Sequence, residues 1–194
     1  MTASGSSFNF IIIAIIVMAS FYGSSCTSHT YFSASVPIHD ANFRGKVIVE
    51  KIEKLDKYRI TIIDSLTGGS DHIYTPYEVF ELKTGDVNND GRTDICIGII
   101  KPTPFDPVLK KRLFIFQIDR DYIRPLWLSS RLVRPLEEFT VLGGEEGCRI
   151  RTIERENADL FCINEYKWES FGMTFIKTRN DSLHLAEARS LLIK

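Results

Sequence analysis

Asp86, Asn88 and Asp90 place oxygen-bearing side chains at alternate positions, Gly91 permits a sharp turn, and Asp94 returns a carboxylate to the same centre. An apolar run, Ile95-Cys-Ile-Gly-Ile-Ile100, follows at once. Hard cations such as calcium take six to eight oxygens, and a short loop with this alternation can supply several of them. The competing reading is an Asx-rich turn without metal, because Asn and Asp also stabilise turns by bonding nearby backbone. The order favours calcium, since the four oxygen-bearing residues and the glycine fall in one register.

Other chemistry is thin. His29, His39, His72 and His184 are scattered without metal-ligand spacing. No GxSxG elbow, HExxH helix, Walker A loop or GxGxxG turn occurs. Glu137-Glu138, Glu145-Glu146 and Glu154 with Glu156 could offer carboxylate pairs for glycoside hydrolysis. Adjacent strand residues point to opposite faces, so these pairs read as surface charge. The segment 101–134 holds eight Lys or Arg against three Asp, with Phe105, Tyr122 and Trp127 among them. It reads as a hairpin with a solvated outer face, with a basic aromatic surface for an anionic glycan as the sharper alternative. Trp127 and Trp168 read as packing anchors.

The elements that must position the loop are mostly strands. Residues 46–50 and 58–63 are rich in β-branched side chains, and 112–118 alternates most clearly. The stretches 78–83, 122–127, 148–154, 159–166 and 171–177 read as further strands, and 188–194 fits either helix or strand. Three prolines between 101 and 107 argue against a helix or a central strand there. A weak repeat is visible. Glu78-Val-Phe80 precedes the Asp86 loop, and Glu137-Glu-Phe139 precedes Gly143-Gly-Glu-Glu-Gly147, which lacks the alternating oxygens. Three units of about fifty residues match the repeat length of propeller blades.

The remaining composition sets limits. The chain has 194 residues, 44% hydrophobic content and a net charge of -1, so no global charge points to nucleic acid. No charged residue precedes Asp40. Residues 8–22 are nearly all apolar but short for a membrane span, and Gly23-Ser-Ser-Cys26 follows. That order fits a signal peptide over 1–25. It resembles a bacterial lipoprotein signal, which implies lipidation of Cys26 and a membrane anchor. The match lacks a Lys or Arg before the apolar run, and Gly23 stands where such signals usually carry Leu. A plain signal or an uncleaved anchor is the alternative. Residues 26–44 read as a tether and 45–194 as the β domain. Cys96 reads as a buried thiol. Cys148 and Cys162 could pair across a hairpin or stay as reduced core cysteines.

Asp86-Val-Asn-Asn-Asp-Gly-Arg-Thr-Asp-Ile-Cys-Ile-Gly98 resembles the calcium loop of FG-GAP and VCBS-type repeats, known from integrin-like β-propellers and bacterial surface proteins. The resemblance covers about twenty residues, with one intact copy. It implies side-chain ligands from Asp86, Asn88, Asp90 and Asp94 and a backbone carbonyl from Arg92. An EF-hand or dockerin loop would need an acidic residue at its twelfth position, where this chain has Ile97. A closed propeller needs at least four blades, so the expected fold is all-β, with antiparallel blade-like sheets in a partial propeller-like arrangement. The expected function is a non-catalytic, calcium-stabilised binding or assembly module of the bacterial cell envelope, with an envelope protein or glycan as partner. The alternative is a secreted hydrolase of glycans or cell-wall material that uses the loop as scaffold.

Overall fold

The computed structural model describes residues 31–104, 106–128, 132–144 and 147–193. The expected signal peptide and Cys26 lie outside the described residues. Among the described residues, no helix is long and apolar enough to cross a membrane.

Three four-stranded antiparallel sheets follow one another in chain order. The first holds β1 (Ala34–His39), β2 (Arg44–Ile52), β3 (Lys57–Asp64) and β4 (Ser70–Thr75). The second holds β5 (Glu78–Gly85), β6 (Asp94–Thr103), β7 (Asp106–Asp119) and β8 (Tyr122–Trp127). The third holds β9 (Leu136–Leu142), β10 (Arg149–Arg155), β11 (Phe161–Glu169) and β12 (Gly172–Leu183). Each sheet is a meander in which every strand pairs with its chain neighbour. The first strands of the sheets touch in series, β1 to β5 to β9, and β4 touches β8. This is a blade-like, propeller-like arrangement of an all-β chain, as the strand pattern leads one to expect.

Side-chain alternation explains the stacking. On β2 and β3, Val47, Val49, Tyr58, Ile60 and Ile62 face inward and meet Ile95, Ile97, Ile99, Phe114 and Phe116 of the second sheet. Cys96, Leu113, Ile115 and Trp127 leave the second sheet by its other face and meet Phe139 and Ile150 of the third. The middle sheet is therefore buried on both sides, which is why 95–100 is an unbroken apolar run rather than an alternating one. At Gly98 a Cβ would lie 2.5 Å from the Phe80 ring, so the glycine makes room for that side chain.

The third sheet ends the stack. Its outward face carries Ile153, Phe161 and Ile163, and these are covered by Leu185, Ala188, Leu191 and Leu192. Those four belong to or adjoin α1 (Leu185–Leu191), so the undecided C-terminal stretch is helical as far as Leu191. Its apolar residues recur at helical spacing. A helix thus sits where a further blade would pack.

One expectation is corrected. The proposed tether 26–44 already contains β1, whose Ala34 to His39 pair in register with Val49 to Arg44 of β2. Alternation of Val36 and Ile38 toward the core is enough for a strand that needs only one partner. The proline-rich stretch near 101–107 holds no helix and no central strand, as its prolines lead one to expect: β6 runs to Thr103 and β7 starts at Asp106. Pairing of β5 with β6 stops at Ile100, and pairing of β7 with β8 stops at Ile115. Beyond those points the β6–β7 hairpin is two-stranded, so Pro102 and Pro107 interrupt no central ladder. Arg112 fastens this arm: its Nε donates to the Lys101 carbonyl at 2.8 Å, and Nη2 pairs with the Asp106 carboxylate at 2.9 Å.

Candidate functional site

The 86–93 loop joins β5 to β6. Asn89 and Gly91 both adopt positive φ, 58° and 83°, and so reverse the chain within a few residues. The loop's acceptors turn toward its own amides. Asp86 accepts from the Asp90 and Gly91 N–H groups at 2.9 and 2.8 Å. Asn88 Oδ1 accepts from Asp90 N–H at 3.2 Å, and its Nδ2 donates to Asp90 Oδ2 at 3.1 Å. Asp90 Oδ1 accepts from Arg92 N–H at 2.9 Å. The sequence-predicted residues Asp86, Asn88 and Asp90 are therefore joined in one network. The Arg92 guanidinium turns aside, 3.5 Å from Asp119.

Asp94 differs from the rest. It is fully buried, Oδ2 accepts from Val87 N–H at 2.9 Å, and Oδ1 has no hydrogen-bond partner. Burial pushes its carboxyl up to about 7; the Val87 N–H opposes this, while the charges of Asp90 and Asp86 add to it. A buried, unpartnered carboxylate oxygen is costly, and a cation is the partner that would relieve it. The donor set fits a hard cation, because an oxygen that accepts one N–H still has a free lone pair. No three His, Cys, Asp or Glu side chains are already gathered as a metal cluster among the described residues. Ligation would require the loop's carboxylates to gather more closely than they now stand.

Two residues without any motif signal tie this loop to its neighbours. Asp40, in the β1–β2 connection, accepts from Thr93 N–H at 2.8 Å. Burial pushes Asp40 up, but hydrogen bonds from Thr93, Asn42 and Phe43 outweigh it and hold the carboxyl below its ordinary range. Asn89 Oδ1 accepts from Cys148 N–H at 3.0 Å, in the β9–β10 connection. The three connections are the equivalent first turns of the three sheets. Only the repeat pattern hinted that 143–147 corresponds to the Asp86 loop.

The carboxylate pairs are engaged elsewhere. Glu137 pairs with Lys111 and Arg155, and Glu138 with Arg189. Glu145 and Glu146 lie outside the described residues. Glu154 is fully buried and accepts from the Tyr166 hydroxyl at 2.6 Å, Thr152 Oγ1 at 2.7 Å and Arg134 N–H at 2.6 Å. Burial and the neighbouring Glu154 charge hold the Tyr166 phenol far above its ordinary range, so it remains a donor. Asp40 and Asp121 line a pocket of about 230 Å³ with Arg92 and Arg120, but Asp40 is held by three backbone amides and Asp121 by Thr67.

Four of the eight basic residues of the segment are paired: Lys110 and Arg112 with Asp106, Lys111 with Glu137, and Arg134 with Glu156. Trp127 and Trp168 pack between the second and third sheets, as expected for anchors. Cys96, Cys148 and Cys162 are free, buried thiols, so the alternative of a bridge between Cys148 and Cys162 is overturned. Cys162 pairs with Glu154 at the far end of β10 from Cys148, well beyond disulfide reach. No family model matches the chain, and no curated protein or solved structure matches it.

Proposed function

We propose that the chain is a calcium-stabilised, non-catalytic binding or assembly module of the bacterial cell envelope. The observation that carries the calcium part is the buried Asp94 carboxylate, which has one oxygen without a partner and feels the charges of Asp90 and Asp86. Asp86, Asn88, Asp90 and Asp94 would hold the ion through side-chain oxygens, with the Arg92 carbonyl as a further ligand, as in FG-GAP and VCBS-type loops. The ion would neutralise the loop and brace the β5–β6 junction. Its role is structural, and recognition of an envelope protein or glycan falls to the surrounding surface. The apolar segment 8–22 and Cys26 support lipid anchoring at the membrane, on the periplasmic or outer-membrane side.

Thermal unfolding in calcium and in chelator tests the reading. Extracellular modules bind calcium at about 10⁻⁴ to 10⁻³ M. At roughly 10 mM calcium, such a site stabilises by about 1.4–2.7 kcal/mol. In a domain of this size that raises the melting temperature by roughly 3–10 °C. Asp90→Ala abolishes the increment. Equal melting of the wild type in calcium and in chelator refutes the proposal. Metabolic labelling with a fatty-acid analogue tests the anchor: Cys26→Ser must abolish incorporation.

A further inference from the structure

The outward face of the third sheet is split in two. α1 covers its apolar half, and the other half opens as a cleft of about 470 Å³ lined by Gly143, Gly144, Arg149, Arg151, Glu165 and Arg179. Glu165 lies at its centre, only 2% exposed. Arg151 reaches Glu165 Oε1 through Nε at 3.2 Å and Nη2 at 3.0 Å, and Arg179 Nη1 reaches the same oxygen at 3.0 Å. Lys177 Nζ stands 3.9 Å from Oε2, which accepts no hydrogen bond. Arg149 lies on the rim with its Nη1 3.7 Å from Oε2.

Around Glu165 the described charges are uneven. Arg151, Arg179 and Lys177 face one carboxylate, a local excess of two positive charges. Burial pushes Glu165 up, but hydrogen bonds from Arg151 and Arg179 outweigh it and hold the carboxyl below its ordinary range, so it stays an acceptor. Arg151 is almost fully buried and is further fixed by donating to the Leu192 carbonyl at 3.0 Å. Glu165 thus acts as a template that sets the forks of two arginines at the floor of an open cleft. Fixed guanidinium forks match the geometry of an oxyanion.

We propose that this cleft binds a phosphate-bearing dianion, with Arg179, Lys177 and Arg151 as its charge partners. An excess of two positive charges matches a phosphomonoester better than a carboxylate. The cleft also leaves space beside the anionic group for a substituent. Neither the metal loop nor its ion takes part, so the site stands apart from the calcium reading.

The test is titration of the full chain with inorganic phosphate, followed by calorimetry and ³¹P line width, in chelator and at constant ionic strength. Phosphate binds and acetate does not. Arg179 and Lys177 are 39% and 54% exposed in their side chains, so Arg179→Gln and Lys177→Gln leave the core intact. Each weakens phosphate at least tenfold, and Asp90→Ala leaves it unchanged. Glycerol phosphate and vesicles containing phosphatidic acid distinguish a soluble ester from a lipid headgroup; binding of either supports the assignment. The proposal is overturned if phosphate binds no better than acetate, or if both charge variants bind as the wild type does.

Discussion

Replacing Asp94 by Asn probes the loop more sharply than any truncation, because it removes charge and keeps shape. The Asn oxygen still accepts from Val87 N–H, and its amide group stands where the unpartnered Oδ1 now is. The rise of the Asp94 carboxyl from 3.8 to about 7 on folding corresponds to about 4 kcal/mol at 1.36 kcal/mol per pK unit. The folded protein holds this proton where the unfolded chain has lost it. Stability contributed by the protonated form is therefore present below about pH 4, falls as pH rises, and is gone above about 7. Asn escapes this loss. An imperfectly bonded amide costs about 1 kcal/mol or more, so Asp94→Asn should stabilise the calcium-free protein at pH 8 by roughly 2–3 kcal/mol. Urea unfolding in chelator from pH 4 to pH 8 is the assay. Asp40, Asp64, Asp106 and Glu165 titrate in the opposite sense, but they do so in both proteins and cancel in the difference. On the proposed calcium reading the order should invert in calcium, since the ion would partner the wild-type carboxylate. Parallel curves for the two proteins in chelator across this range would refute the reasoning.

Three further outcomes are expected. Burial pushes Cys148 and Cys162 up to about 11 and Cys96 well above its ordinary range. All three thiols should resist alkylation in the native state and react on unfolding, and mass spectrometry should find no peptide linking Cys148 to Cys162. Tyr166→Phe leaves Glu154 with one fewer donor and Val133 N–H without its acceptor; urea unfolding should show a loss of about 1–3 kcal/mol. Gly45→Ala would place a Cβ 1.9 Å from the Ile63 carbonyl oxygen, and the forced shift should cost about 3 kcal/mol in the same assay.

Strand alternation carried most of the fold into view. The β7 segment 112–118 shows apolar side chains leaving by both faces, and the repeat of Glu78-Val-Phe80 at Glu137-Glu-Phe139 marks the inner strands of two sheets. What stayed hidden depended on tertiary partners. β1 reads as polar linker because an edge strand needs few inward side chains, here Ala34, Val36 and Ile38. Pro102 and Pro107 ruled out a central strand, but that the hairpin outruns its neighbours as a two-stranded arm depends on register alone. At the candidate site, the oxygen spacing of the loop was legible, whereas Asp40 and Asn89 join it from outside the pattern. The Glu165 cluster was invisible, since its charges come from three different strands and only register brings them together.

The bonds from Asp40 to Thr93 and from Asn89 to Cys148 bear on how the domain comes apart. In a linear array of repeats, stability is a sum of unit terms and nearest-neighbour couplings, and ends can peel while the middle persists. Here the central unit's turn shares hydrogen bonds with the turns of both flanking units. Opening it removes coupling on two sides at once. The array then behaves less like a chain of independent links than like a single cooperative lattice of three sites. Anything that binds or strains that turn acts on the melting of the whole domain, and local fraying at one sheet is suppressed by the other two.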